Sequence, residues 1–111
     1  MSVTFQLDGQ EFFALNGGPT YKFSPAISFF VSCKDQKEVD YYWERLLKDG
    51  KPSRCGWLED KFGISWQVVP EAPGECINGK DPIGARRAIE AMVNMVKLDV
   101  KKLKSAYSGM A

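Results

Sequence analysis

A chain of 111 residues is about one domain, long enough to close a single core and too short for two. With 44% hydrophobic and 26% charged residues it has the composition of a folded soluble protein, which excludes a disordered chain. Fifteen basic residues are nearly cancelled by 14 acidic ones, and a net charge of +1 leaves no electrostatic footprint for nucleic acid.

The first predicted element is a hairpin. Val3, Phe5 and Leu7 alternate with Thr4 and Gln6, Asp8-Gly9 follows, and a second run extends from Glu11 to Asn16. Asp-Gly between alternating runs supplies two positions that accept positive φ, as a type I′ turn requires, so residues 2–16 are expected to pair. Phe12, Ala14 and Asn16 share one side of its second strand. Gly17-Gly18-Pro19 breaks the strand, and residues 20–25 read as a loop.

A strand is expected at Ala26 to Ser32, with Ile27, Phe29 and Val31 on one side and Ser28, Phe30 and Ser32 on the other. Asp35 stands three residues before Glu38, a capping-box spacing with Asp at the cap. Val39, Tyr42, Trp43, Leu46 and Leu47 then form one apolar helical stripe, the mark of a helix lying on a sheet. Gly50 and Pro52 end that helix. Cys55 to Leu58 and Ile64 to Val69 flank a turn containing Asp60 and Gly63, a second hairpin closed by Pro70. In its second strand Ile64, Trp66 and Val68 point one way and Ser65, Gln67 and Val69 the other.

Pro73, Gly74, Asn78 and Gly79 mark an extended connection. Asp81-Pro82 has the form of an N-cap followed by proline at the first helical position. A helix to about Val96 is expected, packing through Ile89, Met92, Val93 and Val96. Asp99 caps a last helix over 100–107. The lysines Lys97, Lys101, Lys102 and Lys104 read as a solvated face.

The chain contains no histidine, which removes the commonest general base and the commonest metal ligand. Cys33, Cys55 and Cys76 are odd in number, show no CxxC spacing and follow no secretory apolar segment, so a reducing, cytoplasmic setting is expected. No apolar run approaches the roughly 18–20 residues of a membrane span. Cys55 reads either as a nucleophile without a base to activate it or as a small structural residue. Trp57 reads either as a stacking surface for a planar ligand or as core or dimer interface.

Four segments carry a family resemblance: Phe5-Gln6-Leu7-Asp8-Gly9-Gln10, Ala14-Leu15-Asn16-Gly17-Gly18-Pro19, Cys55-Gly56-Trp57-Leu58, and Gly63-Ile64-Ser65-Trp66-Gln67-Val68-Val69-Pro70. In this order they resemble the PhnB-like branch of the glyoxalase/bleomycin-resistance/dioxygenase (vicinal oxygen chelate) superfamily, whose members are commonly labelled 3-demethylubiquinone-9 3-methyltransferase domain proteins. The resemblance covers residues 2–107. It implies an α+β fold of paired βαβββ modules, each a curved mixed sheet with a packed helix, around a shared cleft. On that reading residues 1–111 form a single glyoxalase-like domain. Residues 2–16 correspond to the end of a front module and 26–70 to the rear module, with three of its four strands legible, and 81–107 add C-terminal helices. The rest of the front module has no counterpart. Either the chain is a short form, or another chain completes the cleft by strand exchange or edge pairing, and a homodimer is expected.

The resemblance also implies a site. Metal-dependent superfamily members use a histidine at the start of the rear module's first strand and glutamates near the ends of the modules' last strands. Those positions fall here on Ala26, Asn16 and Gln67, so no metal is expected. No cofactor is expected either: Gly17-Gly18 precedes a proline and a loop rather than a helix, which is not the cradle of a nucleotide-type cofactor such as S-adenosylmethionine. The expected cleft is lined by Phe12, Asn16, Ser28, Phe30, Trp57, Ser65 and Gln67, and the amides of Asn16 and Gln67 bond either a ligand or each other. Three functions stay open: a metal-free small-molecule binding protein; the labelled methyltransferase, or a lyase or dioxygenase-type enzyme completed by a partner chain; and a regulatory or truncated subunit without a ligand. No catalytic residue is assigned.

Overall fold

The computed structural model of the chain describes residues 1–71 and 78–109. Strands β1 (Ser2–Leu7) and β2 (Gln10–Leu15) form the expected antiparallel hairpin, with Leu7 opposite Gln10. Asp8 and Gly9 between them have φ of 50° and 77°, both positive as the turn chemistry demands. Cross-strand pairing gathers Val3, Phe5, Leu7, Phe12 and Ala14 on one face and Phe13 and Leu15 on the other. Every residue of β1 is exposed, and in β2 only Phe12 is half-buried.

The centre of the molecule is one βαβββ module: β3 (Ser28–Cys33), α1 (Gln36–Leu47), β4 (Lys51–Pro52), β5 (Trp57–Glu59) and β6 (Ser65–Pro70). The sheet order is β3-β6-β5-β4, with β3 parallel to β6 and the other pairs antiparallel. Strand β4 is the one that the sequence hid, because it is two residues long and its proline reads as a helix stop. At the sheet edge the missing N–H of Pro52 costs no ladder bond. Strand β3 starts two residues later than expected, since Ser24 holds the N–H groups of Ala26, on its hydroxyl at 3.3 Å, and of Ile27, on its carbonyl at 3.4 Å. Likewise β5 begins at Trp57 rather than Cys55, because Cys55 and Gly56 take φ of 62° and 81° and cannot continue a ladder.

Helix α1 starts where the cap spacing places it: Asp35 Oδ1 accepts the Glu38 N–H at 2.9 Å. The return bond is displaced by one residue, with Glu38 Oε1 accepting from the Lys34 N–H at 3.4 Å. Val39 and Trp43 of α1 close the core against Cys33, Leu58 and Val68, with Val31, Leu46, Leu47 and Trp66 packed around them. Tyr42 departs from the expected stripe. It remains 38% exposed at the edge of the helix, its ring 5.1 Å from that of Tyr41.

Among the described residues two helices follow, α2 (Pro82–Val93) and α3 (Val100–Ser108), capped by Asp81 and Asp99 as expected. Helix α2 stops three residues early and does not pack through the stripe that its large apolar residues suggested: Ile89, Val93 and Val96 are 40–48% exposed. Its buried residues are Gly84, Ala85 and Ala88. A Cβ on Gly84 would stand 2.6 Å from the carbonyl oxygen of Tyr107, so close approach of the α3 backbone selects small side chains over large ones. The Arg87 guanidinium donates to the carbonyls of Ala106 (2.8 Å) and Tyr107 (2.7 Å), which satisfies the end of α3.

The helical pair is tied to the module by backbone. Cys55 and Gly56 donate to the carbonyls of Met95 and Val96, each at 2.8 Å, and Leu98 is fully buried beside Gly56. The Gln36 side chain accepts from the Val100 N–H at 2.7 Å and donates to the Leu98 carbonyl at 3.1 Å. Pro73, Gly74 and Cys76, on which sequence expectations also fell, lie outside the described residues.

The radius of gyration is 16.3 Å, against about 13 Å for a compact chain of this length. The hairpin accounts for the elongation. No ladder joins β2 to β3; the link is a file of rings, Phe5–Phe12–Phe29–Trp66, with centroids 5.6, 5.7 and 5.2 Å apart.

Candidate functional site

Helix α1 covers one side of the four-stranded sheet, and the register fixes what the other side presents. Phe30 of β3 and Trp57 of β5 both pair with Gln67 of β6, so the three form one row across the sheet. Ser28 and Glu59 both pair with Ser65 and form the next row. Paired residues share a face, and alternation turns all six away from Trp66 and Val68 on the helix side. Gln67 Nε2 donates to Ser28 Oγ at 2.9 Å. That bond fixes the amide plane and leaves its carbonyl oxygen as an acceptor between two aromatic side chains. Gln67 and Trp57 are half-buried, Ser65 is 5% exposed and Phe30 is 60% exposed.

Five of the seven expected cleft residues thus share one face: Ser28, Phe30, Trp57, Ser65 and Gln67. Phe12 does not join them. Its ring meets Phe29, which shares the helix-side face with Trp66 and points away from Phe30. Asn16 follows the alternation of Phe12 and Ala14; it is exposed and donates its backbone N–H to the Met1 carbonyl at 3.0 Å. The Gln67 amide bonds Ser28, not Asn16. Sequence alternation assigned each strand its two faces correctly but could not say how the hairpin turns relative to the sheet. Glu59 is the residue that sequence reasoning missed. It read as a turn residue, and only the pairing with Ser65 places it in the second row.

Neither Cys33 nor Cys55 is poised for attack. Burial, then the negative charges of Glu38 and Asp35, push the Cys33 thiol up to about 11. Burial also raises Cys55, whose Sγ–H donates to the Met92 carbonyl at 3.3 Å. A thiolate nucleophile needs the opposite environment. Nor do the residues at the superfamily's metal positions fit a metal: Ala26 has no donor, and Asn16 and Gln67 offer neutral amides on separated elements. Among the described residues no group of three His, Cys, Asp or Glu side chains could hold an ion. The β3–α1 connection, Lys34-Asp35, contains no glycine and cradles no phosphate.

Two concavities lie elsewhere. An open groove of about 840 Å³ runs along α1 between Trp43 and Lys97. It is crossed by the Lys97–Asp40 ion pair at 2.9 Å. Hydrogen bonds from Lys97 and then Gln36 hold the Asp40 carboxyl below its ordinary value. A second, of about 380 Å³, separates α2 from α3 beside Arg87 and Asn94. Neither reaches Gln67. Among the described residues no helix is long and apolar enough to cross a membrane.

One βαβββ module with an open, amide-centred sheet face defines an α+β protein of the PhnB-like fold class. The sequence profile of the 3-demethylubiquinone-9 3-methyltransferase family matches residues 1–69, and the chain belongs to that family. Among solved structures it is similar to a PhnB protein from Bacillus cereus, which its title assigns provisionally to the same methyltransferases. The two share 33% identity with a TM-score of 0.59 over 63% of this chain and 64% of that one. The match therefore spans less than two thirds of that protein's length. No protein with a curated description matches this sequence.

Proposed function

We propose that the chain binds a small molecule, without a metal, on the helix-free face of its sheet. The observation that carries this reading is the row Phe30–Gln67–Trp57, in which Ser28 holds the central amide. Two aromatic walls and one fixed acceptor suit a planar compound with an N–H or O–H donor, since stacking supplies area and the amide supplies orientation. The free thiols of Cys33 and Cys55 suit a reducing, cytoplasmic setting for it.

The second reading is an enzyme, and the family's name favours it. A methyltransferase has to hold S-adenosylmethionine, for which the described residues supply no glycine-rich strand-to-helix turn; a lyase or dioxygenase-type activity has to draw its ligands from a partner chain. The test is a thermal-shift screen of wild type and Gln67→Leu against planar metabolites, with S-adenosylmethionine included. Compounds that raise the melting temperature of wild type alone support a binding protein. A shift by S-adenosylmethionine that survives Gln67→Leu supports the enzyme, and no selective shift in any well overturns the binding face.

A further inference from the structure

We infer that the ligand of the helix-free sheet face is an organic cation, held by the Glu59 carboxylate with its plane against the Trp57 ring. The inference rests on the ligand-binding reading of that face and adds a charge to the ligand. Glu59 stands two residues after Trp57 on β5, so their side chains are neighbours on one face, and its register with Ser65 puts it in the row next to Gln67.

What this face offers is a pair of acceptors among rings. Gln67 Nε2 is committed to Ser28, which leaves the amide oxygen for a ligand. The Glu59 carboxylate is uncommitted as well: three ion pairs form among the described residues, and none uses Glu59. Its chain neighbour Asp60 is the opposite case, with both oxygens taken by the N–H groups of Phe62, Ile64 and Trp66. An exposed carboxylate alone is an ordinary surface group, and the surroundings are what single this one out. A Cβ on Gly63 would stand 3.8 Å from Glu59 Oε1 and 4.0 Å from Cδ2 of the exposed Phe23 ring. Carboxylate and ring therefore border one gap, which the missing side chain of residue 63 leaves open, with Trp57 on the other side of Glu59.

That arrangement selects a positive ligand. Ring faces attract cations through their quadrupole, tryptophan most strongly, and a carboxylate adds a charge-assisted hydrogen bond to the same group. A neutral compound uses only the rings and the Gln67 oxygen, and an anion is repelled by Glu59. One group competes: Lys51 lies opposite Glu59 across the β4–β5 pair. It forms no ion pair with Glu59, and exposed pairs of this kind are weak, so a ligand cation takes the position at small cost. Lys61, in the turn after β5, lies over the Phe62 ring, 5.1 Å from its centroid.

The experiment uses three planar probes of one shape: benzamidinium, benzamide and benzoate, which are positive, neutral and negative. Each is titrated into the full chain and followed by nuclear magnetic resonance at the Trp57 indole N–H and the Gln67 side-chain amide. Benzamidinium is expected to shift both signals and to bind about tenfold or more tightly than benzamide, with benzoate weakest. The preference should disappear in Glu59→Gln, a change at an exposed residue outside every ion pair of the described fold. It should shrink as salt rises and grow in Lys51→Met, which removes the competing cation. Equal affinities for benzamidinium and benzamide overturn the inference, as does a preference that survives Glu59→Gln, or benzoate binding tightest. If Gln67→Leu then loses the probes, the binding face stands without its charge. If no probe moves either signal, the inference falls together with the reading on which it rests.

Discussion

The indole N–H of Trp66 donates to Oδ2 of Asp60 at 2.9 Å, and Oδ1 of the same carboxylate accepts the backbone N–H groups of Phe62 at 2.9 Å and Ile64 at 3.0 Å. One side chain therefore closes the β5–β6 turn and ties it to a tryptophan packed on the core. Hydrogen bonds to a charged acceptor are stronger than neutral ones, and loss of this acceptor leaves three donors to find water. Asp60→Ala should cost about 2 kcal/mol or more of stability. Urea unfolding followed by tryptophan fluorescence measures it, with Asp60→Asn expected to recover part of the loss.

Gly56 marks the joint between the module and the C-terminal helices. Its φ is 81°, and a Cβ there would lie 2.9 Å from the Val68 carbonyl oxygen and 3.0 Å from Leu98. Gly56→Ala combines left-handed strain with a backbone clash, and a loss of about 2 kcal/mol or more is expected. Limited proteolysis should then cut first between the module and α2, because the bonds from Cys55 and Gly56 to Met95 and Val96 are the ones displaced. Unchanged stability and an unchanged digestion pattern would contradict this account of the joint.

Cys33 makes stability fall in alkali. Its thiol ionises near 9.0 in an ordinary setting and at about 11 in the fold. Between those values the unfolded chain releases its proton first, so unfolding gains favour with rising pH: the contribution is intact below about 9 and gone above about 11. Denaturant titrations across that window should show a steeper decline for wild type than for Cys33→Ala. Equal slopes would locate the alkaline sensitivity in other groups.

At the sheet face, Gln67→Leu should weaken the binding of a captured ligand by about 1–3 kcal/mol, the cost of leaving its buried polar partner unpaired. Stability should fall by about 1 kcal/mol, because one bond to Ser28 is lost and no core contact is. Asn16→Leu should leave binding unchanged, since Asn16 lies outside the row. Isothermal titration of both variants separates the cases, and equal losses in the two would put Asn16 back at the site.

The sequence alone determined whatever depends on a few neighbouring residues. Asp8-Gly9 fixed a hairpin because both φ values must be positive. Asp35, Asp81 and Asp99 fixed three helix starts because a carboxylate takes up N–H groups left unpaired in the first turn. Alternation in β3 and β6 separated Phe30 and Gln67 from Phe29 and Trp66, and with them four residues of the candidate face. Tertiary structure decided the rest, because each remaining question turned on what a residue meets far along the chain. Strand β4 exists only because β5 accepts it. Gly84, Ala85 and Ala88 became the packing face of α2 because α3 comes close enough to exclude Ile89 and Val93. Glu59 joined the candidate rows through its register with Ser65, and Phe12 left them when the hairpin turned its apolar face toward Phe29: alternation gives a strand two faces, and only packing decides which one is covered.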